Sequence, residues 1–218
     1  VTMLKLYYMP GTCALASHIA LAEAGADYEL ALVDFSISVQ RSPEFLKINP
    51  KGRVPALETS QVVLTKTPAI LVFIAQTYPK AALAPVDDHY EFARFQAFNS
   101  YLSSTVHIAH SHRMRGSRWA DEPEAIAAMQ RKVPQSVGEA FALIEQTLAA
   151  GPWVLGSSYS ICDPYLFTMA GWLEADPQAQ TALVGDWNIA PLDTDVWDVD
   201  FFAGRTHVTP AEREAFAA

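Results

Sequence analysis

The chain has 218 residues, of which 50% are apolar and 18% charged, and it carries a net charge of -9 at neutral pH. That is material for one large domain or two small ones, with a core that needs no disulfide or metal to hold it. The acidity argues against a nucleic-acid partner or an anionic membrane surface, no stretch reaches the ~18 apolar residues of a membrane span, and the first ten residues lack the pattern of a secretory leader.

Residues 4–8 form a short apolar and aromatic run cut off by Met9-Pro-Gly, which predicts a strand ending in a turn. Residues 13–24 predict a helix stopped by Gly25, and 28–33 a second strand. Ser42-Pro-Glu-Phe predicts a helix with Ser42 as N-cap and proline in the first turn. Residues 55–58 and 62–64 predict a hairpin, and Thr67-Pro68 opens a further helix in the same cap-then-proline manner, running to about residue 77. The order β-α-β-α-β-β-α within about 80 residues is that of a thioredoxin-type α/β domain with a mixed four-strand sheet. The expected domain spans 1–82, followed by a linker over 83–89 and an all-helical domain over 90–218. In that second part, residues 89–114 predict one long helix. Residues 123–150 predict another, kinked or broken at Pro134. Ser160-Ile-Cys-Asp163 has the form of a capping box opening an apolar helix to about residue 174. The Asp-rich stretch after residue 176 reads as loop.

Two cysteines, Cys13 and Cys162, lie far apart in unlike contexts. This excludes a disulfide scaffold or a CxxC zinc site and makes a reducing cytoplasm the expected compartment. Cys13 sits at a predicted helix N-terminus, where unpaired N–H groups and the helix dipole favour a thiolate and lower a thiol pKa, although a small residue would also suit the turn. Ala16 stands where the second cysteine of a dithiol motif would be, so a CxxC redox cycle is closed to this chain. Val54-Pro55 opens a strand. A cis bond there would turn the Val54 backbone groups outward, ready to pair with an extended peptide. Cys162, on an apolar helix, reads as core.

Tyr8-Met-Pro-Gly-Thr-Cys-Ala-Leu-Ala-Ser-His-Ile, Ile48-Asn-Pro-Lys-Gly-Arg-Val-Pro-Ala-Leu, Leu64-Thr-Lys-Thr-Pro-Ala-Ile and Ser160-Ile-Cys-Asp together resemble the cytosolic glutathione transferases. Cysteine in the first of these motifs points to the bacterial beta class. The resemblance covers roughly residues 3–175. It implies a thioredoxin-like domain joined to a helical domain, a homodimer, and glutathione lying beside Val54 and Pro55 with its thiol toward Cys13. The γ-glutamyl end would meet Lys66 and Thr67 at the helix start, and a glycyl carboxylate would meet Arg53, since Ser38 stands where the class can carry a lysine. His107 matches the histidine that faces the thiol from the helical domain, with His110 and His112 as neighbouring alternatives. Ser100 and Ser104 share its face by helical spacing. Met9 and Tyr101 are expected in the electrophile pocket. Lys66 reverses the charge that in the family helps hold glutathione's ammonium, and about 1 kcal/mol of repulsion weakens binding several-fold.

Three functions follow from this resemblance. The first is conjugation of glutathione to small apolar electrophiles, the second glutathione-dependent thiol-disulfide or peroxidase chemistry at Cys13, and the third a transferase-like binding protein weakened by Lys66. The net charge divides unevenly along the chain. Residues 1–82 hold seven Lys and Arg against six Asp and Glu, whereas residues 83–218 hold eight against eighteen. The half expected to bind anionic glutathione is therefore slightly basic.

Overall fold

Strand β1 (Leu4–Tyr8) is the inner strand around which the N-terminal part assembles. It pairs parallel with β2 (Tyr28–Leu32) and antiparallel with β3 (Ala56–Glu58), which pairs antiparallel with β4 (Val63–Thr65), giving the order β2-β1-β3-β4. The computed structural model describes residues 3–148 and 151–173. The expectation for the Asp-rich segment lies outside them.

Helices α1 (Ala14–Glu23) and α3 (Thr67–Thr77) cover one sheet face. There Leu4, Leu6 and Leu57 pack with Ala20, Leu21, Ile70, Leu71 and Ile74, all nearly or wholly excluded from solvent. A second cluster joins Ala14, Val33, Phe45 and Val54, with Phe45 supplied by α2 (Pro43–Ile48) and Tyr7 and Tyr8 of β1 packed against it. Each such fully buried aliphatic side chain contributes roughly 1.5–3 kcal/mol. Exposed ion pairs such as Lys5–Glu29, at 3.8 Å, contribute about 0–1 kcal/mol, so burial holds this sheet. The predicted strands and the Ser42 cap agree with the structure, the Ser42 Oγ accepting from the Phe45 N–H at 3.1 Å. Thr67 is not a cap. Lys66 occupies that position at φ 78°, and Thr67 is the first helical residue, buried.

The helical part contains α4 (His89–Tyr101), α5 (His107–Arg115), α6 (Pro123–Leu148) and α7 (Cys162–Ala170). Phe95, Leu102, Val106, Tyr165 and Met169 join the same core as α1 and α3. Two of the expectations here are corrected, the unbroken helix over 89–114 and the role of the Ser160 hydroxyl, and at Pro134 there is no break. The single helix over 89–114 is interrupted by a π turn, Leu102–Val106. Such a turn weakens the ordinary i→i+4 ladder, and the Ser103 and Ser104 hydroxyls both donate to the Ser100 carbonyl, at 3.0 and 2.7 Å. Helix α6 runs through Pro134 without a break. The lost backbone bond is outweighed by the burial of Val133, Val137, Ala140 and Ile144 along one stripe. At α7 the acid reaches back as expected, Asp163 accepting from the Ser160 N–H at 2.9 Å, but the Ser160 hydroxyl accepts from Cys162. Asp163 also accepts from the Val154 N–H at 2.8 Å and so pins the preceding loop to the helix.

Candidate active site

The Pro10-Gly11 turn ends β1 with Gly11 at φ 69°, and Thr12 then bridges the turn to α1. Its hydroxyl donates to the Met9 carbonyl at 2.6 Å and accepts from the Ala14 N–H at 3.3 Å. This fixes Cys13 at the helix start, pointing inward: the residue is only 8% exposed and its thiol donates to the Val54 carbonyl at 3.7 Å. The expected lowering of its pKa is not what the fold produces. Burial raises it, and hydrogen bonding from Thr67 and from its own backbone, together with the charge of Lys66, opposes that rise only in part. Desolvating a thiolate outweighs what one helix terminus returns.

The loop before β3 owes its shape to Asn49. This buried amide donates to the Arg53 carbonyl at 2.6 Å and accepts from the Lys51 N–H at 3.2 Å. Gly52 adopts φ 58°, and a Cβ there would lie 2.8 Å from the Gln40 carbonyl and 3.1 Å from the Arg41 guanidinium. Gly52→Ala is accordingly expected to lower stability by about 2 kcal/mol, measured by urea denaturation; an unchanged midpoint would refute this role. The loop delivers Val54 and Pro55 to the site through a cis bond.

Cys13, Arg53, Val54, Pro55, Lys66, Thr67 and His107 all line one cleft of about 700 Å³. Ser100 and Ser104 do not: the π turn adds a residue to the helical repeat, which breaks the spacing that would have stacked them under His107. Ser103 lines the cleft instead. Tyr101 is not in the cleft wall either, its hydroxyl donating to the Ala140 carbonyl at 3.1 Å, and Met9 packs beneath the sheet. Of the neighbouring histidines His110 lines the cleft, whereas His112 packs on Trp119 at 4.6 Å. Cys162 is fully buried with its thiol pushed up to about 12, foremost by burial, which suits an inert core residue.

Three wall residues carried no sequence signal. Tyr165 on α7 is buried within hydrogen-bonding influence of Thr67, and its pKa is raised by burial and by Cys13. Trp172 packs edge-on against His107 at 5.1 Å and His110 at 5.5 Å, and its indole N–H donates to the Gly11 carbonyl at 3.1 Å. Arg118 reaches the cleft from the turn after α5. His107 is neutral at physiological pH: burial and the charges of Arg118, Arg53 and Lys66 push its pKa down to about 4.

A thioredoxin-like sheet joined to a helical part, with a thiol and an imidazole lining one cleft, is the architecture of enzymes that handle a small thiol. Residues 2–76 match the family described as the N-terminal domain of glutathione S-transferases. The chain is 33% identical over 175 residues to the glutathione S-transferase GstA of Escherichia coli, covering 79% of this chain and 83% of that one. Among solved structures it resembles a glutathione transferase homologue from Sulfitobacter with bound glutathione, at 42% identity and a TM-score of 0.78 over 81% of this chain and 85% of that one. A bacterial beta-class glutathione S-transferase from Sphingomonas chungbukensis is 35% identical, with a TM-score of 0.68 over 78% and 83% of the two chains. The chain belongs to the glutathione S-transferase family, and it is a transferase of that family.

Proposed function

We propose that this cleft binds glutathione extended beside Val54 and transfers the glutathionyl group, through its sulfur, to a small, largely apolar electrophile. The observation that carries the reading is the convergence of Cys13, the Val54-Pro55 edge, the first turn of α3 and His107 on one cleft. The first-turn N–H groups of α3 suit the γ-glutamyl carboxylate, and Arg53 suits the glycyl one. Relatives named as glutathione transferases, one of them a homologue with glutathione bound, support glutathione as the co-substrate. In the reaction a sulfur–carbon bond forms while the leaving group departs with its bonding pair. The thiol proton passes to solvent or to neutral His107, and the Cys13 S–H and the cations stabilise the sulfur anion. Rate comes from proximity and from that stabilisation. The buried, protonated Cys13 disfavours the alternative in which it is the nucleophile, because thiolate is the reactive form. The reading carries with it a homodimer, a cytoplasmic setting and domain limits of 1–82 and 90–218. Light scattering of the purified chain checks the dimer.

The test is saturable conjugation of glutathione to 1-chloro-2,4-dinitrobenzene, with calorimetry of glutathione binding alongside. Lys66→Glu is expected to tighten glutathione several-fold by removing repulsion of its ammonium. Absence of binding heat in both proteins at millimolar glutathione would overturn the reading and leave a binding protein of the same fold.

A further inference from the structure

The cleft is far more basic than the chain that forms it. The whole protein has fifteen Lys and Arg against twenty-four Asp and Glu. Arg41, Lys51, Arg53 and Lys66 line the cleft from the thioredoxin-like part, and Arg113, Arg115 and Arg118 line it from the helical part. Among the described residues no Asp or Glu lines it. The cations act on one another: Arg118 has its pKa lowered by burial and by the charges of Arg53, Arg115 and Arg41. Like charges gathered in a cleft whose described lining holds no acid favour an anionic occupant.

Glutathione does not use up this charge. Bound as thiolate it offers two carboxylates and a sulfur anion, offset by its own ammonium, and its proposed bed lies along the thioredoxin-like wall. The helical wall adds Arg115 and Arg118 to a cleft that Ile108, Met114, Trp119 and Trp172 also line. An arginine fork beside aromatic faces is suited to a planar acid, since it binds the carboxylate in two places while the rings cover the frame.

We propose that the electrophile taken by this cleft carries an acidic group, a carboxylate or sulfonate on an apolar and preferably aromatic frame, held by Arg118 with Arg115 in support. The proposal rests on the glutathione-transfer reading for its chemistry, but its test does not depend on turnover. The probes are 3,5-dinitrobenzoate and the neutral 1,3-dinitrobenzene, both unreactive, with binding read by quenching of tryptophan fluorescence. The acid is expected to bind at least tenfold tighter at low salt. That preference should shrink several-fold in 0.5 M NaCl through screening and fall to less than threefold in Arg118→Gln. The neutral ring's affinity, unchanged within about twofold, shows that the variant is folded. Arg115→Gln is expected to lose part of the preference.

The measurement is repeated with saturating S-methylglutathione. A preference that survives supports an acid site distinct from the thiol's own carboxylate sites. A preference that vanishes shows that the arginines serve glutathione, and overturns the proposal, as does equal affinity for the two rings at the outset. Failure of S-methylglutathione to bind at all would remove the transferase reading while the acid preference in its absence still decides the site.

Discussion

Acidification from pH 7 to pH 4 is expected to remove about 3 kcal/mol of folding stability through His107 alone. The ring is largely buried against Trp172, and burial together with Arg118, Arg53 and Lys66 lowers its pKa from the ordinary 6.5 to about 4. The unfolded chain takes up a proton near pH 6.5, whereas the folded chain takes it up only near 4. Between those values the unfolded state binds more protons, so stability falls as the pH falls and is constant above the window. Urea denaturation of the wild type and of His107→Phe, which keeps a ring on Trp172 without the titration, isolates this effect. The stability difference between the two should drop by about 3 kcal/mol from pH 7 to 4; a flat difference across that range would refute it. The same physics leaves a neutral imidazole beside the proposed sulfur position at working pH, able to accept a proton. An anion bound among the arginines should raise the His107 pKa, which proton NMR reports directly.

Trp172→Ala should damage the site more than any other single change to its wall, lowering kcat/KM for glutathione conjugation ten- to hundredfold. The edge-on contacts with His107 and His110 are each worth about 0.5–1.5 kcal/mol, and the hydrogen bond to Gly11 about 1 kcal/mol. Their loss falls on catalysis because Trp172 joins the turn that aims Cys13 to the helix end that holds His107. Water admitted beside His107 should also return its pKa toward the ordinary value. Trp172→Phe, which loses the N–H but keeps the ring, is expected to retain activity within about fivefold. Undiminished turnover in Trp172→Ala, with an unshifted His107 titration, would show the indole to be mere cover.

The thioredoxin-like half was readable almost residue by residue because its signals are local. Pro10-Gly11 stops β1, Ser42-Pro43 starts α2, and Gly25 at φ 61° ends the turn after α1. The Asn49 to Pro55 motif was likewise recognisable, since its amide bridge and its left-handed Gly52 are built from adjacent residues. The helical half was less legible at the one place that matters. Residues 89–114 have continuous helical periodicity, and nothing in it marks Leu102–Val106 as a π turn or shows that Ser103, rather than Ser100 and Ser104, lines the cleft with His107. The hydroxyl bonds to the Ser100 carbonyl that accommodate the turn depend on the backbone path and have no counterpart in the residue pattern.

Element order in the thioredoxin-like half, the family and the candidate thiol and imidazole are legible in the residues alone, because turn chemistry, caps and a contiguous motif act over a few residues. The electrostatics of the site come from the fold. A helix N-terminus is a local feature and favours a thiolate at Cys13, but the depth at which that thiol is buried depends on Val54, Thr67 and Tyr165 arriving from three other segments, and burial wins. Net charge behaves the same way. Summed along the chain it is -9, yet the fold gathers Arg41, Arg53 and Lys66 with Arg115 and Arg118 around one cleft, in which no acid is found among the described residues. Charges act through space, so their effect on a ligand is set by which residues the fold brings together.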